Sequence, residues 1–284
     1  MACNPPKYAE LGKEARDLLN KNFYFGSVKL DAKTKAENGL EFSANGTHNT
    51  DTGKVAASLE TKYKCSDYGV TFLEKWNTDN LLSTEITIED QLAKGLKFTF
   101  DTSFEPNSAK KSARVKSAYR NEYMHSTADV DFDFAGPTVH GSTVVGYKGF
   151  MGGYQVSYDT ANSKLIANNV SLSYKNGDVV LHSSVNDATD FQGSIHQKVN
   201  KDLEASAMLK WCSEGGSSSL VLGGKYQLDK DTSCKLKINN NLQVGLSYVQ
   251  SLRPGVQLTL AGLINAKSLD QPGHKLGMGI NLEA

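Results

Sequence analysis

The sequence has no surplus of charge of either sign. Its 284 residues carry 31 Lys and Arg against 31 Asp and Glu, so the electrostatic case for a nucleic-acid partner falls away. The four cysteines, Cys3, Cys65, Cys212 and Cys234, lie too far apart for a C-x-x-C pair or a zinc cluster. No apolar run approaches the roughly 18 residues of a spanning helix, which excludes helical membrane proteins but not barrels. Residues 1–19 have no apolar signal core and are charged at Lys7, Glu10, Lys13, Glu14, Arg16 and Asp17; synthesis in the cytosol with reduced thiols is expected. There is no P-loop, no G-x-S-x-G elbow and no group of metal ligands. The histidines at 48, 125, 140, 182, 196 and 274 fall in six different segments and read as lumen or loop residues. Catalytic residues, cofactor and metal are therefore not expected.

What is present is an even spread of aromatic and β-branched residues, including 12 Tyr and 11 Phe, which argues against disorder. The first twenty residues stand apart. After Pro5-Pro6, Tyr8, Leu11, Ala15, Leu18 and Leu19 recur near helical spacing, which predicts one short amphipathic helix over about residues 7–20. That helix has three readings: packed on a globular domain, lying on a membrane surface, or plugging something hollow.

From Ser27 the period becomes two. Val28, Leu30 and Ala32 alternate with Lys29, Asp31 and Lys33; Leu96, Phe98 and Phe100 with Lys97, Thr99 and Asp101; Val130, Phe132 and Phe134 with Asp129, Asp131 and Asp133. Turn signals such as Asp51-Thr52-Gly53, Asn176-Gly177-Asp178, Pro254-Gly255 and Pro272-Gly273 separate the segments. Roughly nineteen segments of about ten residues follow one another as an up-and-down meander. So wide a sheet avoids two long edges by closing into a barrel. At about 40° tilt its backbone diameter is near 38 Å, too wide for side chains to fill. One apolar and one polar face then make sense as lipid-facing and water-facing, with a mean hydropathy of −0.42 reflecting the polar lining. The pattern also admits a large soluble β-sandwich or propeller. Against that stand the short connections, the lack of a blade repeat, and aromatics near strand ends such as Phe72, Trp76, Phe100, Phe104 and Tyr147.

Several stretches together resemble the mitochondrial porins, the voltage-dependent anion channel family, over essentially the whole chain. They are Tyr8-Ala9-Glu10-Leu11-Gly12-Lys13, LETKYK at 59–64, EKWNTDN at 74–80, GLKFTFDTSF at 95–104, DVDFDFAGP at 129–137, VND at 185–187, SLRPGVQLTL at 251–260 and GHKLGMGINLEA at the end. The family is the known nineteen-strand exception to even strand numbers. The resemblance thus implies an all-β transmembrane barrel of about 19 strands over residues 27–284, its first and last strands parallel, with the helix and hinge of residues 1–26 inside the pore. It implies a non-enzymatic, voltage-gated, weakly anion-selective diffusion path for ATP, ADP, phosphate, metabolites and small ions. Hexokinase, Bcl-2-type proteins and further copies of the chain are implied partners. The alternative is a barrel acting mainly as a docking scaffold for kinases and apoptotic regulators. Lys275, Gly277, Met278, Ile280 and Leu282 resemble the insertion signal of mitochondrial outer-membrane barrels.

The resemblance places Leu11 where the helix packs on the wall near Val144. Parity agrees, because Val144 is in the inward register of a strand whose Val139, Thr143 and Val145 point outward; an isolated, tolerated valine is the other reading. Lys13, Arg16 and Lys21 would then stand near the constriction as nucleotide and anion contacts. Inward parity adds Lys29, Lys33, Lys62, Lys97, Lys116, Lys175, Lys235 and Lys237, with Asp31, Glu60, Asp101 and Asp131 on the same face. A plain solvated face is the bland reading of these lysines. Glu74 shares its face with Val70, Phe72 and Trp76, a costly carboxylate directed at lipid unless the register slips. The family position implies partner and oligomer contacts there. Between helix and first strand the family has GYGFG, whereas this chain reads Asn22-Phe23-Tyr24-Phe25-Gly26. Loss of two glycines removes backbone freedom from the hinge, and altered voltage gating is expected.

Overall fold

The computed structural model describes residues 4–65, 68–132, 136–213, 215–216, 218–269 and 273–284. Cys3, Asp133, Phe134, Ala135 and Pro272, named above, lie outside them. The alternating segments form nineteen strands, from β1 (Ser27–Lys35) to β19 (Lys275–Glu283). Each pairs antiparallel with the next in sequence, and the circle is completed by β1 running parallel to β19, with Val28 opposite Met278 and Leu30 opposite Ile280. Closure leaves no edge unpaired, which is what a strand meander of this width requires. Several connections are only two residues long, as at 148–149, 177–178 and 254–255. Gly255 turns at φ +80, where a Cβ would stand 2.0 Å from the Glu283 carbonyl oxygen, so only glycine fits that turn.

Burial is inverted relative to a water-soluble sandwich. In β14 (Leu203–Cys212), Leu209 is 49% and Trp211 47% exposed, while Ser206 and Met208 in the opposite register are each 5% exposed. Phe72, Phe100, Val145, Tyr154, Leu172 and Leu260 are likewise exposed on the outer row. Such a continuous apolar exterior suits a hydrocarbon environment. The buried apolar residues lie instead inside the barrel: Leu11, Ala15, Leu18 and Leu19 of the N-terminal segment, and Val144, Val180, Met208, Val249 and Ala261 of the wall.

The N-terminal segment is not the single helix its spacing predicts. A 3-10 turn, Tyr8–Glu10, is followed by extended backbone at Leu11 and a left-handed Gly12 at φ 67, and only then by α1 (Lys13–Asn20). The break has a steric cause. A Cβ at Gly12 would lie 2.4 Å from the His182 ring, so the chain presses its one side-chain-free residue against the wall. At eight residues α1 is too short to persist alone in water. Its stability derives from the face made by Ala15, Leu18 and Leu19 packing on Met208 and Val221, each buried leucine contributing about 2 kcal/mol.

Candidate pore lining

The N-terminal segment crosses the lumen wall over a series of positions that lack side chains. Leu11 and Tyr8 lie over Gly153 of β10 (Phe150–Asp159), where a Cβ would come within 2.8 Å of both. Gly153 pairs with Val144 of β9 (Thr138–Tyr147), and Leu11 and Val144 are 2% and 0% exposed. Leu11 thus lies over the strand partner of Val144, and both apolar residues are kept from water. Further along, Leu19 covers Gly223 of β15 (Ser218–Asp229), and Phe25 covers Gly245 of β17 (Gln243–Arg253). Tyr24 closes the series over β19. Its carbonyl oxygen stands 1.6 Å from where a Gly277 Cβ would be, and its ring 2.5 Å from that of Gly279.

Polar contacts fix the same path. Asn4 N–H donates to the Glu122 carbonyl at 3.0 Å, and His125 lies 3.4 Å from the Pro5 carbonyl. At its far end α1 presents unpaired carbonyls, which attract cations. On β16 (Thr232–Asn239), Lys235 Nζ donates to the Asp17 carbonyl at 3.3 Å and the Lys21 carbonyl at 3.1 Å, and Lys237 Nζ to the Leu19 carbonyl at 2.8 Å. Lys237 also stands 4.2 Å from the centre of the Phe23 ring and 5.2 Å from that of Phe25, a cation–π arrangement. Ser247 Oγ donates to the Asn22 carbonyl at 2.8 Å.

These contacts sort the lysines and arginine expected to meet anions. Arg16 donates to the Leu11 carbonyl at 2.9 Å and to that of Ala9, and so braces the broken helix. Lys237 clamps the helix end. Lys175 pairs with Glu14 at 3.2 Å, and Lys116 with Asp101 at 3.1 Å. Lys13 and Lys21 are exposed, Lys97 is half-buried, and none of the three is in an ion pair among the described residues. The wall away from the helix carries facing charges: Lys29 with Asp31 at 2.8 Å, Lys62 with Glu41 at 3.2 Å, and Arg114 with Asp131. A cavity of about 1140 Å³ lies between this wall and α1, lined among others by Lys21, Tyr24, Lys29, Lys33, Lys62 and Lys235. Along the inward register cations outnumber carboxylates, although the whole chain is balanced. Glu60 also faces this cavity.

The remaining expected residues fall as follows. Asn22 takes φ 73 and Gly26 φ 64. The left-handed bend survives at Asn22 because asparagine tolerates that region better than most side chains. Burial pushes the Tyr24 phenol above its ordinary value. Glu74 is exposed in the outer row between Phe72 and Trp76, opposite Thr61 and Thr84, so its register has not slipped inward. Met278, Ile280 and Leu282 pair with Leu260, Leu258 and Val256, and Lys275 bonds to Asp51. Sequence reasoning did not single out Gly153, Gly223 or Gly245, nor His125 and His182 as seats of the N-terminal segment. Glycines falling at inward parity in otherwise alternating strands were the available signal.

A closed barrel with an apolar exterior, a charged water-facing lumen and an internal helix that narrows it is a membrane-spanning pore. Comparison with known proteins agrees. A family model described as eukaryotic porin matches residues 4–277, and the chain belongs to that family. It is 56% identical over 280 residues to the Xenopus laevis protein named "Non-selective voltage-gated ion channel VDAC2", covering 99% of both chains. It is 55% identical over 282 residues to the Homo sapiens protein of the same name, covering 99% of this chain and 96% of that one. A solved mutant of Rh. blastica porin superposes with a TM-score of 0.50 at 10% identity, over 83% of this chain and 96% of that one, a likeness of fold alone.

Proposed function

We propose that the chain is a voltage-gated, weakly anion-preferring diffusion pore of the mitochondrial outer membrane, passing ATP, ADP, phosphate, small metabolites and ions without chemistry. The carrying observation is that the lumen cavity is lined by eight lysines against seven carboxylates, a slight cation excess in a chain whose total charge is balanced. Fixed lysines in a narrowed aqueous path raise the local anion concentration without a deep binding well. Lys13, Lys21 and Lys97 are the cations best placed to meet permeating phosphates, with the paired Lys116 and Lys175 adding to the field. Voltage gating follows the named relatives, and the outer-membrane location rests on the resemblance of the last strand to an insertion signal.

The test is current through the purified, refolded protein in a planar bilayer under a salt gradient and an ATP gradient. Stepwise openings, a reversal potential on the chloride side and a measurable ATP current are expected; a potassium-side reversal removes the anion preference. Substitution of two hinge glycines predicts weaker closure at moderate voltage than in relatives with the intact hinge. Asn22→Gly with Tyr24→Gly is expected to restore it, and no change on restoring them would remove the hinge from the account. A second reading is favoured by Glu74 alone. A carboxylate on the apolar exterior offers a contact for protein partners of the hexokinase or Bcl-2 type, or for a second copy. Loss of co-purifying partner or of cross-linked dimer on Glu74→Gln tests it.

A further inference from the structure

Tyr24 occupies a position where backbone flexibility would be served by glycine, and it places an aromatic ring inside a charged pore. The ring rests on β19 at Gly279, whose missing side chain leaves room for it. Its hydroxyl donates to Asn22 Oδ1 at 3.4 Å, and Lys29 Nζ stands 5.6 Å from the ring centre. Asp31 in turn holds that lysine at 2.8 Å. The ring therefore has the β19 wall against it, a hydrogen bond at its tip and a cation over one face, which leaves the opposite face for a ligand. It also borders the 1140 Å³ lumen cavity, where it is the one Phe, Tyr or Trp among the described lining residues. Phe23 and Phe25 are engaged with Lys237, and Tyr8 is pressed against Gly153.

The geometry points to Tyr24 as a stacking platform for the base of a nucleotide whose phosphates are held by Lys21, Lys29 and Lys33 in the same cavity. The inference rests on the nucleotide-permeation reading above and adds base recognition to it. Lysines alone attract any polyphosphate equally. An aromatic face fixed beside them adds a contribution that only a ligand with a π-system receives, and one that tolerates base identity because every base has such a face. Asp31 reduces the charge at Lys29, which leaves Lys21 and Lys33 for the outer phosphates and keeps the well shallow enough for release. The platform depends on the hinge being seated on Gly277 and Gly279, so it exists only while the N-terminal segment is docked.

The experiment compares ATP with inorganic triphosphate as reducers of single-channel potassium chloride current, at voltages low enough to keep the pore open. For the unmodified chain, half-maximal reduction is expected at about five-fold lower concentration for ATP than for triphosphate, the low end of base–aromatic stacking. Tyr24→Phe is expected to keep that ratio and Tyr24→Leu to bring it to about one, with the triphosphate response unchanged in both. Equal action of ATP and triphosphate on the unmodified pore, or an unchanged ratio in Tyr24→Leu, overturns the platform and leaves the pore. A folded barrel that passes no current removes the pore reading and this inference together. Should Tyr24→Leu disturb docking, its triphosphate response shifts as well; Tyr24→Met, which keeps a long side chain over Gly279 but has no ring, then decides by whether the ratio falls.

Discussion

The two sides of the lumen solve opposite problems with the same strand grammar. On the wall from β9 to β19 the inward register is repeatedly glycine, serine or histidine, and it receives the N-terminal segment: Gly153 under Leu11, His182 against Gly12, Gly223 under Leu19, Gly277 under Tyr24. On the wall from β1 to β8 (Met124–Phe132) the same register carries paired charges, Lys29 with Asp31, Lys62 with Glu41 and Lys116 with Asp101, facing an aqueous space. Side-chain volume, removed on one wall and supplied on the other, decides where the helix lies. The covered wall holds structure through close packing, which is sensitive to single atoms. The open wall holds charge in water, where each pair contributes little to stability but shapes the field seen by ions.

That contrast can be broken most forcefully at Gly277. A leucine there collides with the Tyr24 backbone, and docking of the N-terminal segment is expected to weaken by about 3 kcal/mol, seen as rapid proteolysis at the hinge while the barrel's melting is little changed. Ser43→Leu on the open wall is expected to leave the hinge protected. Leu19→Ala empties a buried site and should cost about 2 to 3 kcal/mol of docking, read by hydrogen exchange of the α1 amides. Lys237→Met keeps the stem but removes the charged donor to the helix end, a loss of about 1.5 kcal/mol by the same exchange measurement. The matching Lys116→Met on the open wall should change stability by less than about 0.5 kcal/mol and instead move the reversal potential toward potassium.

The smallest effect expected is on pH. Burial pushes the Glu14 carboxyl upward, but its own backbone N–H and Lys175 outweigh this and hold it below the usual range. A carboxyl held low in the folded state stabilises docking above its unfolded pKa and loses that contribution as pH falls through the folded value. Exchange of the α1 amides should therefore quicken slightly below about pH 4, by a few tenths of a kcal/mol for a partly exposed pair. Glu14→Gln should flatten that dependence.

Much of this was legible in the sequence because a strand with one wet and one apolar face writes its parity into every second residue. Val144, Glu74 and the inward lysines follow from that alternation. The break at Gly12 was not legible, since one glycine in a helical pattern looks tolerable until His182, 170 residues away in the chain, is placed against it. The glycine seats were hidden for a related reason: glycine belongs to neither the apolar nor the polar set, so alternation passes over it. The clamp of Lys237 on the Leu19 carbonyl spans 218 positions and depends on where a closed barrel brings the two ends of the chain. The parallel pairing of β1 with β19 likewise came from the family resemblance and not from periodicity, which carries no direction.

The most direct test of the account is a carbodiimide-formed amide bond between Glu14 and Lys175, whose side chains stand 3.2 Å apart, made in the bilayer during current recording. The account predicts that the bond forms in the open pore and leaves its conductance unchanged, because the open state already has the segment seated on that wall. Failure of the bond to form, or a collapse of conductance when it does, would contradict it.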